Sequence, residues 1–356
     1  MSLREHLERA VADSRASGRA PKSNRRRGRR KYHRPAEAIY AALRRRQAAS
    51  GVLNAKAREL MANSISVASQ NLNGTAVACY QKCGGDLEHD SPAQIANTLA
   101  AMLEHVSFNT LLCYLTGLKR VCADLRHDQP FENEIVQKVI RGAMREREPS
   151  HKMDVLRLTS IRQMLKKIDD DPLQRFEEVR DRALLLCCAN GALRGGEACR
   201  MTIENTHIDA QGRVTIFLST KTSGGQVVKI HLLDFWQQEY PLVQALLQWF
   251  EISGIGNGAL WRRIKVGPRG CDQRLGKALS HKEINQIIKR RAKAIGMQPE
   301  NITVHSIRAG VVTSLADQGE SALTIGKITR QKDPKTISEY YRPDISDISR
   351  VISDEQ

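Results

Sequence analysis

Four short segments of this sequence carry residue types that could act together on a phosphate. In Gly191-Ala192-Leu193-Arg194-Gly195-Gly196-Glu197, an arginine follows an apolar stretch and stands among glycines, where backbone crowding is low and a guanidinium can be presented. Thr220-Lys221-Thr222 leads into Ser223-Gly224-Gly225, so Lys221 belongs at the tip of an expected hairpin, on a short loop able to reach into a groove. In His305-Ser306-Ile307-Arg308 an imidazole and a guanidinium are spaced to share one helix face and address one phosphate. Tyr340-Tyr341-Arg342 adds two phenols and another cation.

The elements that must position these residues divide the chain in two. From 55 to 145 the pattern is helical: Ser91-Pro92 reads as an N-cap with proline at the first helical position, and Ile95, Leu99, Met102, Leu103 and Val106 keep one apolar face. Leu111, Tyr114, Leu115, Leu118, Val121, Cys122 and Leu125 mark a second such helix. The polar stretch 145–154, with Pro149, is the best linker. Beyond it, Thr159/Ser160 reads as the cap of a helix carrying Ile161, Met164, Leu165 and Ile168, and another helix spans 178–190. The period then changes: Val214, Ile216 and Leu218 alternate, as do Val228 and Ile230, which predicts a hairpin. Helical patterns resume at 240–252, 281–295, 306–318 and 335–341. The expected fold is mainly α with a small β-sheet or hairpin in the second domain.

Composition narrows the partner. The 356 residues hold 56 Lys and Arg against 39 Asp and Glu, a formal net charge of +17, which suits a polyanion, with nucleic acid the first candidate. Residues 1–50 alone hold 15 basic and 4 acidic side chains, including the run Arg25-Arg26-Arg27-Gly28-Arg29-Arg30-Lys31. Such a stretch cannot bury an apolar face and is expected to be a disordered tail, either DNA-contacting or merely solubilising. The longest apolar run, Ala183 to Ala189, is far short of the ~20 residues that span a bilayer, and no secretory signal is expected. A cytoplasmic, nucleoid-associated protein with no membrane partner follows. The cysteines do not read as a disulfide framework, and Cys79-x3-Cys83 with His89 lacks the fourth ligand that structural zinc wants.

Taken in order, the four segments resemble the catalytic domain of the tyrosine recombinases, the phage-integrase family, over about Thr159 to Arg342. The region 55–145 is similar to that family's core-binding domain. The resemblance therefore implies a two-domain architecture: a basic tail over 1–50, a DNA-binding domain over 55–145, and a catalytic domain over 152–356 that ends in an assembly tail. The family pattern is an arginine with Glu or Asp three residues on, a hairpin lysine, His-x-x-Arg, a His or Trp, and a tyrosine nine residues later. Arg194 with Glu197, Lys221, and His305 with Arg308 match it. Thr329-Arg330-Gln331-Lys332-Asp333-Pro334-Lys335-Thr336 is similar to the family's T-G-H-x-S-x-x-T turn. That alignment selects Tyr340 as nucleophile and puts Gln331 where His or Trp is usual. Taking Tyr341 instead moves the position to Lys332. Glutamine can donate a hydrogen bond but cannot titrate near pH 7.

The resemblance implies a site-specific recombinase in which Tyr340 attacks a scissile phosphodiester, leaving a 3′-phosphotyrosyl link and a free 5′-hydroxyl. Arg194 and Arg308 would hold the phosphate, His305 would bond it or take the tyrosine proton, Lys221 would protonate the leaving oxygen, and Glu197 would orient its neighbours. No cofactor or metal is expected. The implied partner is double-stranded DNA, clamped by the two domains, with a homodimer on one site and a homotetramer on two synapsed sites. Ile345, Ile348 and Ile352 form the stripe of the assembly tail. Arg25, Arg26, Arg27, Arg29, Arg30 and Lys31, and the helix run Lys289, Arg290 and Arg291, are the expected DNA-backbone contacts. Two alternatives stay open: a DNA-binding protein that has lost catalysis, and a type IB-like strand-passage enzyme.

Overall fold

The computed structural model describes residues 54–126, 128–147, 153–171, 176–219, 226–266, 273–331, 333 and 337–338. The chain divides between Ser150 and His151 into two compact units.

The first unit is all-helical among its described residues: α1 (Ala55–Asn63), α2 (Val67–Lys82), α3 (Pro92–Leu103), α4 (Phe108–Leu125), a 3₁₀ turn at Pro130–Glu132, and α5 (Glu134–Glu146). Side-chain caps start its helices: Ser66, Ser91, Ser107 and Asn133 each accept a backbone N–H of the first turn. The apolar stripes meet in one core around Tyr80, Ile95, Leu99, Met102, Leu111, Leu118 and Val121. Gly117 of α4 lies so close to α2 that a Cβ there would stand 3.0 Å from the Asn73 Cα. His89 pairs with Asp86 at 3.0 Å rather than with Cys79 and Cys83. Among the described residues no His, Cys, Asp and Glu side chains cluster to hold a metal, and all the described cysteines are free thiols.

The second unit contains α6 (Leu158–Asp169), α7 (Phe176–Asn190), α8 (Gly195–Cys199), β1 (Thr206–Ile208), β2 (Val214–Ser219), β3 (Val227–His231), α9 (Leu242–Ser253), β4 (Arg262–Val266), β5 (Gln273–Ala278), α10 (His281–Ala294), α11 (Val304–Asp317) and α12 (Ala322–Thr329). Its centre is α7, buried continuously from Ala183 to Asn190. A helix with apolar residues all round belongs inside a core, and Leu165, Leu246, Trp249, Ile288 and Ile307 join it in one cluster. Strands β1, β2 and β3 form an antiparallel sheet with Ile216 opposite Ile230 and Leu218 opposite Val228. Strands β4 and β5 form a separate antiparallel pair.

The mainly helical fold with a small sheet agrees with the sequence reading, which did not single out α8 and α12. The hairpin gains a third strand, β1, and the β4–β5 ribbon was not expected. The cap of α6 is not Thr159 or Ser160: the helix starts at Leu158, whose N–H donates 3.1 Å to Ser314 Oγ of α11, so its first turn is capped from another helix. That docking is close. Leu156 N donates to Ser306 O at 2.9 Å, and a Cβ at Gly310 would stand 1.6 Å from the Leu156 carbonyl oxygen. Among the described residues no helix is long and apolar enough to cross a membrane.

Candidate active site

The site is assembled where three chain segments meet above a small apolar cluster of Ala192, Val311, Val312, Leu315, Ile325 and Ile337. The first is the exit of α7. The side chain of Asn190, itself buried, accepts the Phe235 N–H at 2.9 Å and its carbonyl accepts the Leu233 N–H at 2.9 Å, so the helix end is tied to the segment after β3. Ala192 then takes a left-handed φ of 41°. The reversal lets Leu193 N–H return to Cys188 O at 3.0 Å and delivers Arg194 as the N-cap residue of α8.

Glu197 closes that cap. Its Oε2 accepts the Arg194 backbone N–H at 2.9 Å and its Oε1 accepts Arg194 Nη1 at 2.9 Å. The carboxylate is almost wholly buried, whereas the Arg194 side chain keeps 31% of its surface exposed. Burial pushes the Glu197 carboxyl up; Arg330, the Arg194 N–H and the Arg194 guanidinium outweigh it, so its pKa lies below the ordinary value. Gly195 lies under His281, the first residue of α10: a Cβ at 195 would stand 1.9 Å from His281 Nε2.

The second segment is the start of α11. Thr303 caps it and takes the His305 N–H at 3.1 Å. Burial, followed by the positive charges of Arg308 and Arg194 and by His281, pulls the His305 pKa below 6.5, against a smaller opposing effect of Glu197. These surroundings favour the neutral imidazole. One turn on, Arg308 is fully buried. Its Nη1 donates to Ala192 O at 2.6 Å and its Nη2 to Thr329 O.

The third segment is the end of α12. Thr329 Oγ1 lies 2.7 Å from both Ile325 O and the Gln331 side-chain oxygen. A hydroxyl has one proton to give. With the Gln331 amide turned over, Thr329 donates to Ile325, Gln331 donates one N–H to Thr329, and its second N–H is left to donate elsewhere. Between them Arg330 adopts a left-handed conformation, φ 58° and ψ 42°, and sends its guanidinium back to the first segment. Nη1 donates to Gly191 O at 2.8 Å and Ile328 O at 3.2 Å; Nη2 donates to Glu197 Oε2 at 2.9 Å and Ala192 O at 3.4 Å.

Arg194, Glu197, His305, Arg308 and Gln331, spread over 138 positions of sequence, thus converge. Lys221, Tyr340 and Tyr341 lie outside the described residues, as do Arg25, Arg26, Arg27, Arg29, Arg30, Lys31 and the stripe Ile345, Ile348 and Ile352. Of the two arginines expected to hold a phosphate, Arg194 presents surface and Arg308 does not. The site also includes His281 and Arg330, which sequence reasoning did not single out. The signal for Arg330 was present, since a non-glycine at the left-handed place of a T-G-H-like turn needs some compensation.

In the run Lys289, Arg290 and Arg291, expected to contact DNA, the side chains have partners within the fold, while Arg290 keeps about half of its side chain exposed. Arg290 pairs with Glu177 at 3.0 Å and with Asp181 at 2.7 Å, and Arg291 with Asp181 at 2.7 Å. Asp181 is fully buried in α7 and also takes Arg180 at 2.7 Å. A buried carboxylate must be paired, so these guanidinium groups clamp α10 to α7. Lys289 Nζ donates to Glu300 O at 2.6 Å.

Residues 154–346 match the phage integrase family. The chain is similar to an integrase/recombinase xerD homolog of Selenomonas ruminantium, 25% identical over 256 residues, which is 70% of this chain and 73% of that relative. In fold it is similar to a XerH site-specific recombinase bound to palindromic difH substrate in a post-cleavage complex (TM-score 0.57, 16% identity, 91% of this chain and 97% of the other). It is also similar to a Tn1549 transposon integrase in complex with transposon right end DNA (TM-score 0.56, 15% identity, 90% of this chain and 99% of the other).

Proposed function

The chain belongs to the phage integrase family, the tyrosine recombinases, and from that premise we propose that it cuts and rejoins double-stranded DNA at specific sites through a covalent bond to Tyr340. The observation that carries this reading is the convergence of Arg194, Glu197, His305 and Gln331 around the buried guanidinium of Arg308. These are the residue types that one phosphodiester exchange needs, and they come from three separate segments.

In the cleavage step, Tyr340 Oη bonds to phosphorus and the bond from phosphorus to the 5′-oxygen breaks. A tyrosine with pKa ~10 must lose its proton as it attacks, and neutral His305 is the acceptor. Lys221 gives a proton to the leaving 5′-oxygen. Negative charge gathers on the non-bridging oxygens, where the open fork of Arg194 and an N–H of Gln331 donate. Arg308 holds the carbonyls of both flanking segments and places a fixed positive charge beneath the phosphate. One phosphodiester replaces another, so the bond energy is retained and the free 5′-hydroxyl can reverse the step. Two duplexes present four strands, which requires four nucleophiles. A dimer on one site and a tetramer on two supply them.

Gln331 favours one rival, a protein that binds the same DNA without cutting it, because the position lacks an ionisable group. A nicked suicide substrate, from which the short 5′-hydroxyl fragment diffuses away, separates the two. A recombinase accumulates a protein–DNA band that survives a denaturing gel, whereas a binder shifts the DNA only in a native gel.

A further inference from the structure

We infer that Arg330 is a positioning residue for strand cleavage, one that sets the separation of Arg194 from Gln331; the inference rests on the recombinase reading of the site. Arg330 and Ala192 are the only non-glycine residues with positive φ among the described residues, and they face each other across the site. Left-handed backbone is costly for a side chain with a Cβ and normally falls to glycine at a helix end. Here the guanidinium supplies what a glycine could not. It reaches two carbonyls of the turn before Arg194, the Ile328 carbonyl of its own helix, and the Glu197 carboxylate.

Glu197 is in turn the group that holds both the backbone N–H and the guanidinium of Arg194. A chain of charge-assisted bonds therefore runs from Arg330 through Glu197 to Arg194. Arg330 precedes Gln331 directly, so one residue ties the segment carrying the amide to the segment carrying the open guanidinium. The Ala192 carbonyl receives Arg308 as well, which locks the turn from two elements. The four Nη contacts of Arg330 go to three backbone carbonyls and the Glu197 carboxylate, so the role assigned to it runs through these groups. DNA affinity is dominated by many phosphate contacts, so the loss of Arg330 belongs in the chemical step.

The test compares Arg330→Gly and Arg330→Lys with the wild-type chain on the suicide substrate, measuring DNA affinity and the single-turnover rate at saturating protein. Glycine suits the backbone and removes the fork; lysine keeps the charge on Glu197 and loses the carbonyl contacts. The expected result for Arg330→Gly is affinity within about twofold and cleavage slowed by roughly 10- to 100-fold, the scale of a reacting group displaced by about an ångström. Arg330→Lys falls between. In a Glu197→Gln background, Arg330→Gly adds less than its full effect, because the relay is already broken. Wild-type cleavage rates in Arg330→Gly would overturn the inference, as would affinity and rate falling in parallel. Loss of cooperative unfolding in both variants would also overturn it, by assigning Arg330 to stability. An inert wild-type chain would overturn the recombinase reading along with it.

Discussion

Arg308, inside α11, donates to the carbonyl of Ala192 at 2.6 Å, and Ala192 holds that carbonyl in place with a left-handed φ of 41°. The other arm of the same fork takes the Thr329 carbonyl. A planar guanidinium can span two acceptors in a fixed geometry, which an ammonium cannot. Arg308→Lys should leave one buried carbonyl without a donor and lower stability by about 1–3 kcal/mol. Cleavage should fall by roughly 100-fold or more, as the two arms lose their spacing. Urea unfolding and single-turnover cleavage check both.

Gln331 should matter through one hydrogen bond. Gln331→Ala is expected to slow cleavage roughly 10-fold, the equivalent of ~1.4 kcal/mol. Gln331→His is expected to preserve or raise the rate. Equal rates for the wild-type chain and Gln331→Ala would remove Gln331 from the site.

How much of this was legible beforehand follows from sequence separation. Arg194 with Glu197, and His305 with Arg308, could be read because a helix cap and a helix turn fix such pairs locally. For Arg330 the sequence showed only a non-glycine in a turn that favours glycine; its acceptors at 191 and 192 are brought to it by tertiary folding. The ion pairs of Arg290 and Arg291 were not legible because their partner Asp181 lies in a different helix, α7, where it is fully buried. The β4–β5 ribbon escaped because its alternation, Arg263-Ile264-Lys265-Val266, runs over only four residues. His281 joins the site only because Gly195 lets its ring approach.

The His305 pKa gives a pH prediction. Its folded value lies below 6.5 because of burial, Arg308, Arg194 and His281. Below 6.5 the unfolded chain binds more protons than the folded one, so this group's contribution to stability is present above 6.5 and is lost as pH falls through the folded value. An NMR titration of the free protein should place the His305 midpoint below 6.5, and His305→Gln should flatten the stability profile in that window. A midpoint above the ordinary value would contradict a neutral proton acceptor.

Gly310 should tolerate no side chain. A Cβ there meets the Leu156 carbonyl oxygen at 1.6 Å and its carbon at 2.2 Å, and backbone cannot turn aside as a side-chain tip can. Gly310→Ala is expected to cost about 3 kcal/mol or more in thermal or urea unfolding. Gly196→Ala, with nothing within 4 Å of the added methyl, is the control and should be neutral or slightly stabilising.

Tyr340 is expected to carry the covalent bond to DNA. Tyr340 and Tyr341 are adjacent on an expected helix, where neighbouring side chains point ~100° apart, so both cannot address one phosphate. The direct measurement is mass spectrometry of the DNA-linked peptide from the suicide substrate, run beside Tyr340→Phe and Tyr341→Phe. The predicted result is a phosphotyrosyl bond at Tyr340, no covalent band from Tyr340→Phe despite normal DNA binding, and a band retained by Tyr341→Phe. A bond mapped to Tyr341, or a covalent band surviving in Tyr340→Phe, would rule out Tyr340 as the nucleophile.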